Sequence, residues 1–315
     1  IFIIKNLLIF LAIHLLSNCT TAQPIFNIQS FTTDDGLPTN FIYNIDEDKD
    51  GFIWAMSNAG LTRFDGVKFE NFKYHNCNEG KFYDFQQSTY KIKRAGIEGF
   101  LFFNKSKNCI EKITRNDNIY FDTESKIIYK DSSNTWLCKS DRKTILKYNN
   151  LNFKIIDSIH VSNLISAHPI AIFNGNIYFG TSDNNYFIEY NIASKQENQI
   201  SFKKYLSKGV GITTHNFLRY KKKLITGSWG NGLMVYYPEN KSLSNFVTKQ
   251  YDCFRDITYA EKLTGDSIIW CADAFRGISL FDIKNEKFVQ HISIGETLNH
   301  IKSNNIYDLF SDSRG

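Results

Sequence analysis

The stretch Asp48–Asp65, DKDGFIWAMSNAGLTRFD, contains two strand-like segments and two turn signals. Asp48–Gly51 predicts a tight hairpin turn, and Phe52–Met56 predicts the strand that follows it. The residues Asn58–Gly60 predict a second turn, and Leu61–Phe64 predict a second strand. The stretch is therefore typical of an antiparallel hairpin.

The flanking residues extend this hairpin into a meander. Ile25–Phe31 alternates as a strand, and Phe41–Ile45 alternates as another strand directly before the hairpin turn. Asp65-Gly66 is a further hairpin signal, and Val67–Phe72 returns from it. Short strands with turns at short intervals favour an all-β fold.

Divergent copies of the Asp48–Asp65 pattern recur along the chain. They align on the position of Trp54, with counterparts near Ile92 and at Trp136, Tyr178, Ile225 and Trp270. The counterparts lie about 38 to 47 residues apart, which matches the length of a four-stranded β-propeller blade. The positions that we assign to the repeat itself, as structural residues, are Gly51, Trp54, Gly60, Trp136, Tyr178, Gly180, Gly227, Trp270 and Gly277.

The last residues begin another copy. Asn304–Gly315 matches Thr39–Gly51, and the strand that would carry the next tryptophan is not in the sequence. We predict a β-propeller of four-stranded antiparallel blades over residues 23–315, incomplete at its C-terminus. It would have seven blades, of which this chain holds about six and the start of another. We therefore expect the chain to be the N-terminal part of a longer protein.

The composition agrees with a large β-rich core. Apolar residues make up 42 % of the 315 residues and aromatic residues 15 %, including 27 Phe and 17 Tyr. The net charge is +5, and the longest basic run is Lys221–Lys223. Because a nucleic-acid reader gathers its basic residues on one face, we expect no nucleic-acid partner in this region.

Three segments of the repeat closely resemble the two-component regulator propeller repeat. Residues Gly36–Asn40 match G-L-P-x-N, and Asp48–Trp54 matches D-x-x-G-x-[IL]-W. Gly60–Asp65 matches G-L-x-R-[FY]-D. The Gly-Thr pair that follows the strand in this family is intact only as Gly180-Thr181, and becomes Met56-Ser57, Gly227-Ser228 and Ala272-Asp273 in other copies.

This resemblance implies a periplasmic sensor region of a membrane-spanning histidine kinase, often a hybrid one, of the kind common in Bacteroidetes. Two seven-bladed propellers, an immunoglobulin-like domain, a transmembrane helix and a cytoplasmic kinase are the usual arrangement. Members respond to carbohydrates, often oligosaccharides. The full-length protein would be a homodimer anchored in the inner membrane, and this chain itself would be no enzyme.

The N-terminus has the layout of a secretory signal peptide over residues 1–22. Lys5 precedes the apolar run Leu7–Leu16, and small and polar residues follow up to Ala22. We favour cleavage after Ala22, with lipidation of Cys19 as the alternative. The run is shorter than the roughly 20 residues of a membrane-spanning helix, so the membrane is reached only through this peptide or through segments outside the chain.

No motif requires a metal or a cofactor. Asp46, Asp48 and Asp50 imitate the start of a calcium loop, but Ser57 stands where that loop needs a bidentate Glu, so a hairpin turn is the better interpretation. The seven His do not cluster in sequence, and there is no C-x-x-C pair. Cys138 and Cys271 each follow a repeat tryptophan, which favours packing in the strand core.

Ligand binding is predicted where the copies differ. Trp229 and Asn231 lie in the glycine-rich segment Gly227–Gly232, and Phe275 and Arg276 occupy the comparable turn of the sixth copy. Loops of this kind carry binding residues on a rigid scaffold. These four residues are our candidate ligand-binding set, whereas Trp54, Trp136 and Trp270 are assigned to packing between blades.

Three functions remain open at this point. The first is a ligand-sensing domain of a histidine kinase that recognises a carbohydrate. The second is a secreted propeller enzyme acting on polysaccharide, and the third is a noncatalytic scaffold at the cell surface. No G-x-S-x-G, H-E-x-x-H or phosphate-loop motif indicates a particular reaction.

Overall fold

A computed structural model describes most of the chain outside its first 25 residues. The described ranges are 26–48, 50–57, 59–72, 100–104, 109–113, 126–139, 141–149, 154–162, 170–181, 185–205, 213–229, 232–246, 256–265, 267–273, 276–295, 301–306 and 308–314. The predicted signal peptide and the second-copy counterpart near Ile92 lie outside these ranges. No helix within them is long and apolar enough to span a membrane.

The first blade contains the stretch that defines the repeat. It has four antiparallel strands in chain order, β1 (Ile42–Glu47), β2 (Ile53–Ser57), β3 (Gly60–Phe64) and β4 (Phe69–Phe72). The predicted strands and turns of residues 41–72 are confirmed, and Gly51 and Gly60 have φ of 84° and 142°. Such left-handed conformations favour glycine, which explains both repeat positions.

The other blades repeat this pattern. The second copy contributes one antiparallel pair, β5 (Phe100–Asn104) and β6 (Cys109–Ile113). The third blade consists of β7 (Lys126–Lys130), β8 (Asn134–Cys138), β9 (Thr144–Asn149) and β10 (Ile155–His160). The fourth consists of β11 (Ala171–Phe173), β12 (Asn176–Gly180), β13 (Tyr186–Asn191) and β14 (Glu197–Ser201).

The last two blades are joined into one sheet. The fifth consists of β15 (Thr213–Tyr220), β16 (Lys223–Trp229), β17 (Gly232–Tyr237) and β18 (Ser242–Phe246). The sixth consists of β19 (Asp256–Thr264), β20 (Ile268–Asp273), β21 (Gly277–Asp282) and β22 (Lys287–Ile292). Strand β16 pairs with β19 as well as with its own blade partners, so the eight strands are continuous. The protein is thus an all-β propeller with five four-stranded antiparallel blades in its described part.

Apolar layers between consecutive blades form the core. Trp136 and Ile145 of the third blade pack with Phe179 and Ile188 of the fourth. A second layer joins the fourth and fifth blades, and a third joins the fifth and sixth. Each fully buried aromatic or branched side chain contributes about 1.5–3 kcal/mol, so these layers are the main stabilising feature of the propeller.

The repeat tryptophans of the described blades are buried or half-buried. Trp54 and Trp136 are each only 3 % exposed, and Tyr178 at the same position is fully buried. Trp270 is half-buried and packs edge-on against Phe26, with ring centroids 4.9 Å apart. Cys138 and Cys271 are fully buried in the apolar layers between blades, which confirms the packing interpretation.

The prediction of a strand over Ile25–Phe31 is wrong. Residues 26–32 have no regular structure, and a short 3-10 turn, Thr33–Asp35, follows them. The reason is that the two aromatic residues of this segment pack on different blades. Phe26 contacts Trp270 of the sixth blade, and Phe31 contacts Phe64 and Phe69 of the first. A segment that spans two sheets cannot add a strand to either.

The C-terminal residues also connect the sixth blade with the first. Ile301, Ile306 and Leu309 pack on the outer layer of the sixth blade. Asp308 Oδ2 accepts a hydrogen bond from the Ile45 amide at 2.8 Å, and the Glu47 carboxylate accepts hydrogen bonds from the amide and hydroxyl of Ser313. The C-terminal segment therefore bridges the sixth and first blades.

Candidate functional site

The meander gives the propeller two unlike faces. The first strand is the first in strand order within each four-stranded blade, and the first strand of the fifth blade contacts the first strands of the fourth and sixth. Because consecutive strands are antiparallel, the turns from first to second and from third to fourth strand lie on one face. We call it the short-turn face. Turns from second to third strand and the connections between blades lie on the opposite face, which we call the connection face.

A hydroxyl closes the second turn of three blades on the connection face. Ser57 Oγ donates to the Gly60 carbonyl at 3.1 Å, and Ser228 Oγ donates to the Gly232 carbonyl at 2.8 Å. Thr181 Oγ1 donates to the Tyr186 carbonyl in the same way. All three side chains are buried. This bond explains why the repeat favours a hydroxyl residue after its strand, and why Ser replaces Thr without loss of the turn.

Trp229 lies in a strand and not in a turn. It is the last residue of β16 and pairs with Thr213 of β15 on one side and with Asp256 of β19 on the other. These backbone pairings make Thr213, Trp229 and Asp256 neighbours across three adjacent strands. The sequence indicated Trp229 but gave no indication of Thr213 or Asp256, because strand pairing within the fifth blade places Thr213 beside it and pairing between the fifth and sixth blades places Asp256 there.

The two predicted loops flank a single strand. Ile257, the residue of β19 after Asp256, has a partner on each side. It pairs with Ser228, at the base of the loop between β16 and β17, and with Asp273, at the base of the loop between β20 and β21. Two strand spacings therefore separate these loop bases, about 10 Å. Arg276 is exposed in the second loop, whereas Asn231 and Phe275 lie outside the described residues. The structure thus brings the two loop bases together on the connection face.

The base of the second loop is held rigidly. Gly277 has φ of 105°, and a Cβ atom there would lie 2.2 Å from the Ile292 carbonyl oxygen. Its amide donates to the Asn304 carbonyl at 3.0 Å, and Asn304 Oδ1 accepts the amide of Ile294 at 2.9 Å. The glycine required by the repeat therefore fixes where this loop leaves the sheet.

The acidic turn before Trp54 is a hairpin, as predicted. Asp48 Oδ1 accepts the amides of Asp50 and Phe52, and its Oδ2 accepts Trp54 Nε1 at 2.9 Å. The carboxylate therefore stabilises the turn and the tryptophan. In the part of the chain that the structure describes, no group of three His, Cys, Asp or Glu side chains is suited to a metal ion.

The described histidines lie on separate blades. His160 Nδ1 is 3.4 Å from Thr144 Oγ1 in the third blade, and His291 Nδ1 is 3.1 Å from Ser279 Oγ in the sixth. Each bond joins neighbouring strands of one sheet, so both histidines have a local structural partner. His215 lies in β15, and its side chain is not described. The remaining histidines lie outside the described residues: His14, His75, His168 and His300.

Comparisons with known proteins identify the repeat. The family described as "two component regulator propeller" matches residues 36–59, which include the acidic turn and Trp54. A search of curated proteins gives no significant match.

Solved structures share the fold. The chain resembles a protein described as the extracellular domain of the hybrid two component system BT4673 from B. thetaiotaomicron, with 18 % identity and a TM-score of 0.69, covering 88 % of this chain and 36 % of that one. It also resembles the corresponding domain of BT3049 from the same organism, with 17 % identity and a TM-score of 0.62, covering 90 % and 39 %. A streptogramin B lyase has 13 % identity and a TM-score of 0.63, with 89 % and 90 % covered.

The chain therefore spans little more than a third of the two extracellular domains that it matches. At these identities the likeness concerns the fold, and the lyase shows that the same fold occurs in an enzyme. The match to the two component regulator propeller family, by contrast, rests on the amino-acid sequence of residues 36–59. The chain is a β-propeller that carries the two component regulator propeller repeat.

Proposed function

We propose that the chain is the exported, ligand-sensing propeller of a two-component sensor histidine kinase. The observation that carries this proposal is the match of residues 36–59 to the two component regulator propeller family. The shared fold with extracellular domains of hybrid two-component systems supports it. On this proposal the chain itself catalyses no reaction, the ring has seven blades, and the full-length protein is a membrane-anchored homodimer.

The proposed ligand is an oligosaccharide, bound on the connection face between the fifth and sixth blades. Trp229 would supply an aromatic surface for a sugar ring, since an aromatic side chain offers a large apolar face at a polar site. Asp256 and Thr213, which pair with it on the neighbouring strands, would supply hydrogen-bond partners for hydroxyl groups. Asn231, Phe275 and Arg276 in the two flanking loops would complete the site.

Such a site suits a signal because the two blades are joined there by backbone pairing. A ligand that contacts both loops engages the end of β16 in the fifth blade and the end of β20 in the sixth, so its binding favours one relative position of the two blades. A ligand shifts a conformational equilibrium only through different affinities for the two states. Contact with both loops provides a physical basis for that difference.

Isothermal titration calorimetry of the purified protein against an oligosaccharide panel tests the binding proposal. We expect one class of oligosaccharide to bind, and we expect Trp229→Ala to abolish binding with the melting temperature little changed. Trp136→Phe is the control, because Trp136 lies inside the third blade and away from this face. Binding that survives Trp229→Ala would place the ligand elsewhere.

The coding sequence of the complete gene tests the kinase proposal separately. We expect a transmembrane segment and histidine kinase motifs after the propeller. A gene that ends soon after residue 315 would contradict the kinase assignment while leaving oligosaccharide binding intact.

A further inference from the structure

Two cations, Arg219 and Lys221, lie on the short-turn face, at the opposite end of the propeller from Trp229. The aromatic residues Tyr129 and Phe173 lie near Arg219. Tyr129, Phe173 and Arg219 each stand at or near the end of the first strand of their blade, β7, β11 and β15. Because the first strand of each blade lies nearest the axis, these ends lie beside the axis of the propeller on that face. The guanidinium carbon of Arg219 lies 4.5 Å from the centre of the Phe173 ring.

Two contacts hold the Arg219 side chain in place. Its guanidinium stacks over the Phe173 ring, which is itself buried, and its Nε donates to the Lys221 carbonyl at 3.2 Å. The residue is nevertheless exposed. An arginine fixed by stacking and by Nε retains its two terminal nitrogens for a ligand, and it loses little side-chain entropy on binding.

The charges around this arginine are not balanced. In the basic run that follows it, Lys222 pairs with Glu239 and Lys223 pairs with Glu286, each at 2.6 Å. No described carboxylate pairs with Arg219 or with Lys221, whose ammonium lies 5.2 Å from the Tyr220 ring centre. Two cations of one hairpin therefore lack a carboxylate partner within the described residues, while their two neighbours have one.

The Tyr129 hydroxyl lies within the influence of the Arg219 charge. Burial raises the pKa of Tyr129 and the charge of Asp131 raises it further, whereas the charge of Arg219 acts in the opposite direction. The Tyr129 hydroxyl is therefore protonated at neutral pH. The charge of Arg219 acts on it, which indicates that the two side chains are near each other. The Asp131 carboxylate accepts the amides of Ser133 and Asn134, so the turn that contains it already partly compensates its negative charge.

We propose that Arg219, supported by Phe173, Tyr129 and Lys221, binds the carboxylate group of an anionic ligand at the axial opening of the short-turn face. A guanidinium presents two parallel N–H donors that match the two oxygens of a carboxylate. The Tyr129 hydroxyl supplies a third donor, and the charge of Lys221 adds attraction at longer range. The carboxylate belongs either to a small organic acid or to an acidic sugar.

Titration calorimetry of the purified protein with sodium acetate, sodium glucuronate and glucose tests this site. Acetate and glucuronate distinguish the two sources of the carboxylate, and glucose is the neutral control for glucuronate. We expect at least one carboxylate to bind and glucose not to bind here. Arg219→Gln should abolish this binding, and Arg219→Lys should weaken it about ten-fold, since lysine cannot form the paired donors. Lys222→Gln is the matched control, because this lysine of the same turn already has a partner.

Three results would overturn the proposal. They are absence of binding by both carboxylates, equal binding by Arg219→Gln and the unchanged protein, and a clear preference for sulfate over both carboxylates. Because Arg219 is exposed, its variants should keep the parent melting temperature, and Arg219→Lys provides a second folded variant. Trp229→Ala should leave carboxylate binding intact, so failure here is distinct from failure of the oligosaccharide proposal.

Discussion

Trp54 Nε1 donates a hydrogen bond to Asp48 Oδ2 at 2.9 Å, which links the first residue of the acidic turn to the buried tryptophan of the strand that follows. The other oxygen of the same carboxylate accepts the amides of Asp50 and Phe52. One side chain thus closes the turn and orients the indole. The spacing D-x-x-x-x-x-W of this copy therefore allows the Asp48 carboxylate to reach both the turn amides and the indole N–H of Trp54.

The Trp54 hydrogen bond should be measurable against a matched tryptophan. Trp136 is equally buried at the same repeat position, but its Nε1 has no hydrogen-bond partner among the residues that the structure describes. We expect Trp54→Phe to reduce the free energy of unfolding by about 1.5–3 kcal/mol more than Trp136→Phe, because a bond to a charged acceptor is lost. Urea denaturation measures both values. Equal losses would show that the bond adds no stability.

Glu286 should make the stability depend on pH. Burial alone would raise its pKa, but hydrogen bonds from Lys223 and Tyr237 outweigh burial, so the pKa lies below the usual 4.5. A depressed folded-state pKa stabilises the protein above the unfolded pKa, and this stabilisation is lost as the pH falls through the folded value.

We therefore expect Glu286→Gln to cost roughly 0.5–1.5 kcal/mol at pH 7, after allowance for partial exposure of the pair, and nothing at a pH well below 4.5. Glu239→Gln is the control, since the Lys222–Glu239 pair is mostly exposed and should contribute close to zero. Denaturation at a series of pH values gives the comparison. A Glu286→Gln deficit that stayed constant with pH would contradict the ionic explanation.

The hydroxyl of Ser228 should stabilise the loop beside Trp229. We expect Ser228→Ala to cost about 1 kcal/mol, because the buried Gly232 carbonyl loses its donor. Ser228→Thr should retain most of the stability, since threonine makes the same bond in the fourth blade. Hydrogen exchange should show faster opening near Gly232 in the alanine variant. Unchanged exchange and stability would mean that the hydroxyl does not close the turn.

Gly277→Ala should be far more damaging than an ordinary glycine substitution. A methyl group at this position would lie 2.2 Å from the Ile292 carbonyl oxygen, and the sheet must shift to accommodate it. We expect a loss of about 3 kcal/mol or more. Gly175→Ala is the control, because its φ is also positive, at 73°, but no atom lies within 4 Å of the added carbon. That variant should lose only about 1 kcal/mol, and similar losses would disprove the steric explanation.

Local sequence predicted a strand correctly where turn residues and an alternating apolar pattern both indicated the same hairpin. The hairpin at Asp48–Gly51 combines acidic and glycine turn residues with alternating apolar residues, and the structure confirms it. The same reasoning failed for Ile25–Phe31, where alternation is present but the partners lie on two blades. Alternation of apolar residues indicates that a segment has an apolar face, but it does not indicate which part of the protein covers that face.

The sequence by itself determined the repeat, the antiparallel meander and the packing role of Trp54 and Trp136, because each depends on contacts within one blade or on a pattern that every blade shares. Tertiary structure alone decided that Trp229 ends a strand between Thr213 and Asp256, and that Arg219 stacks on Phe173. The Trp229–Asp256 pairing and the Arg219–Phe173 stacking each join residues of different blades. Their distances depend on how the sheets are placed around the axis, a property that no local pattern of residues encodes.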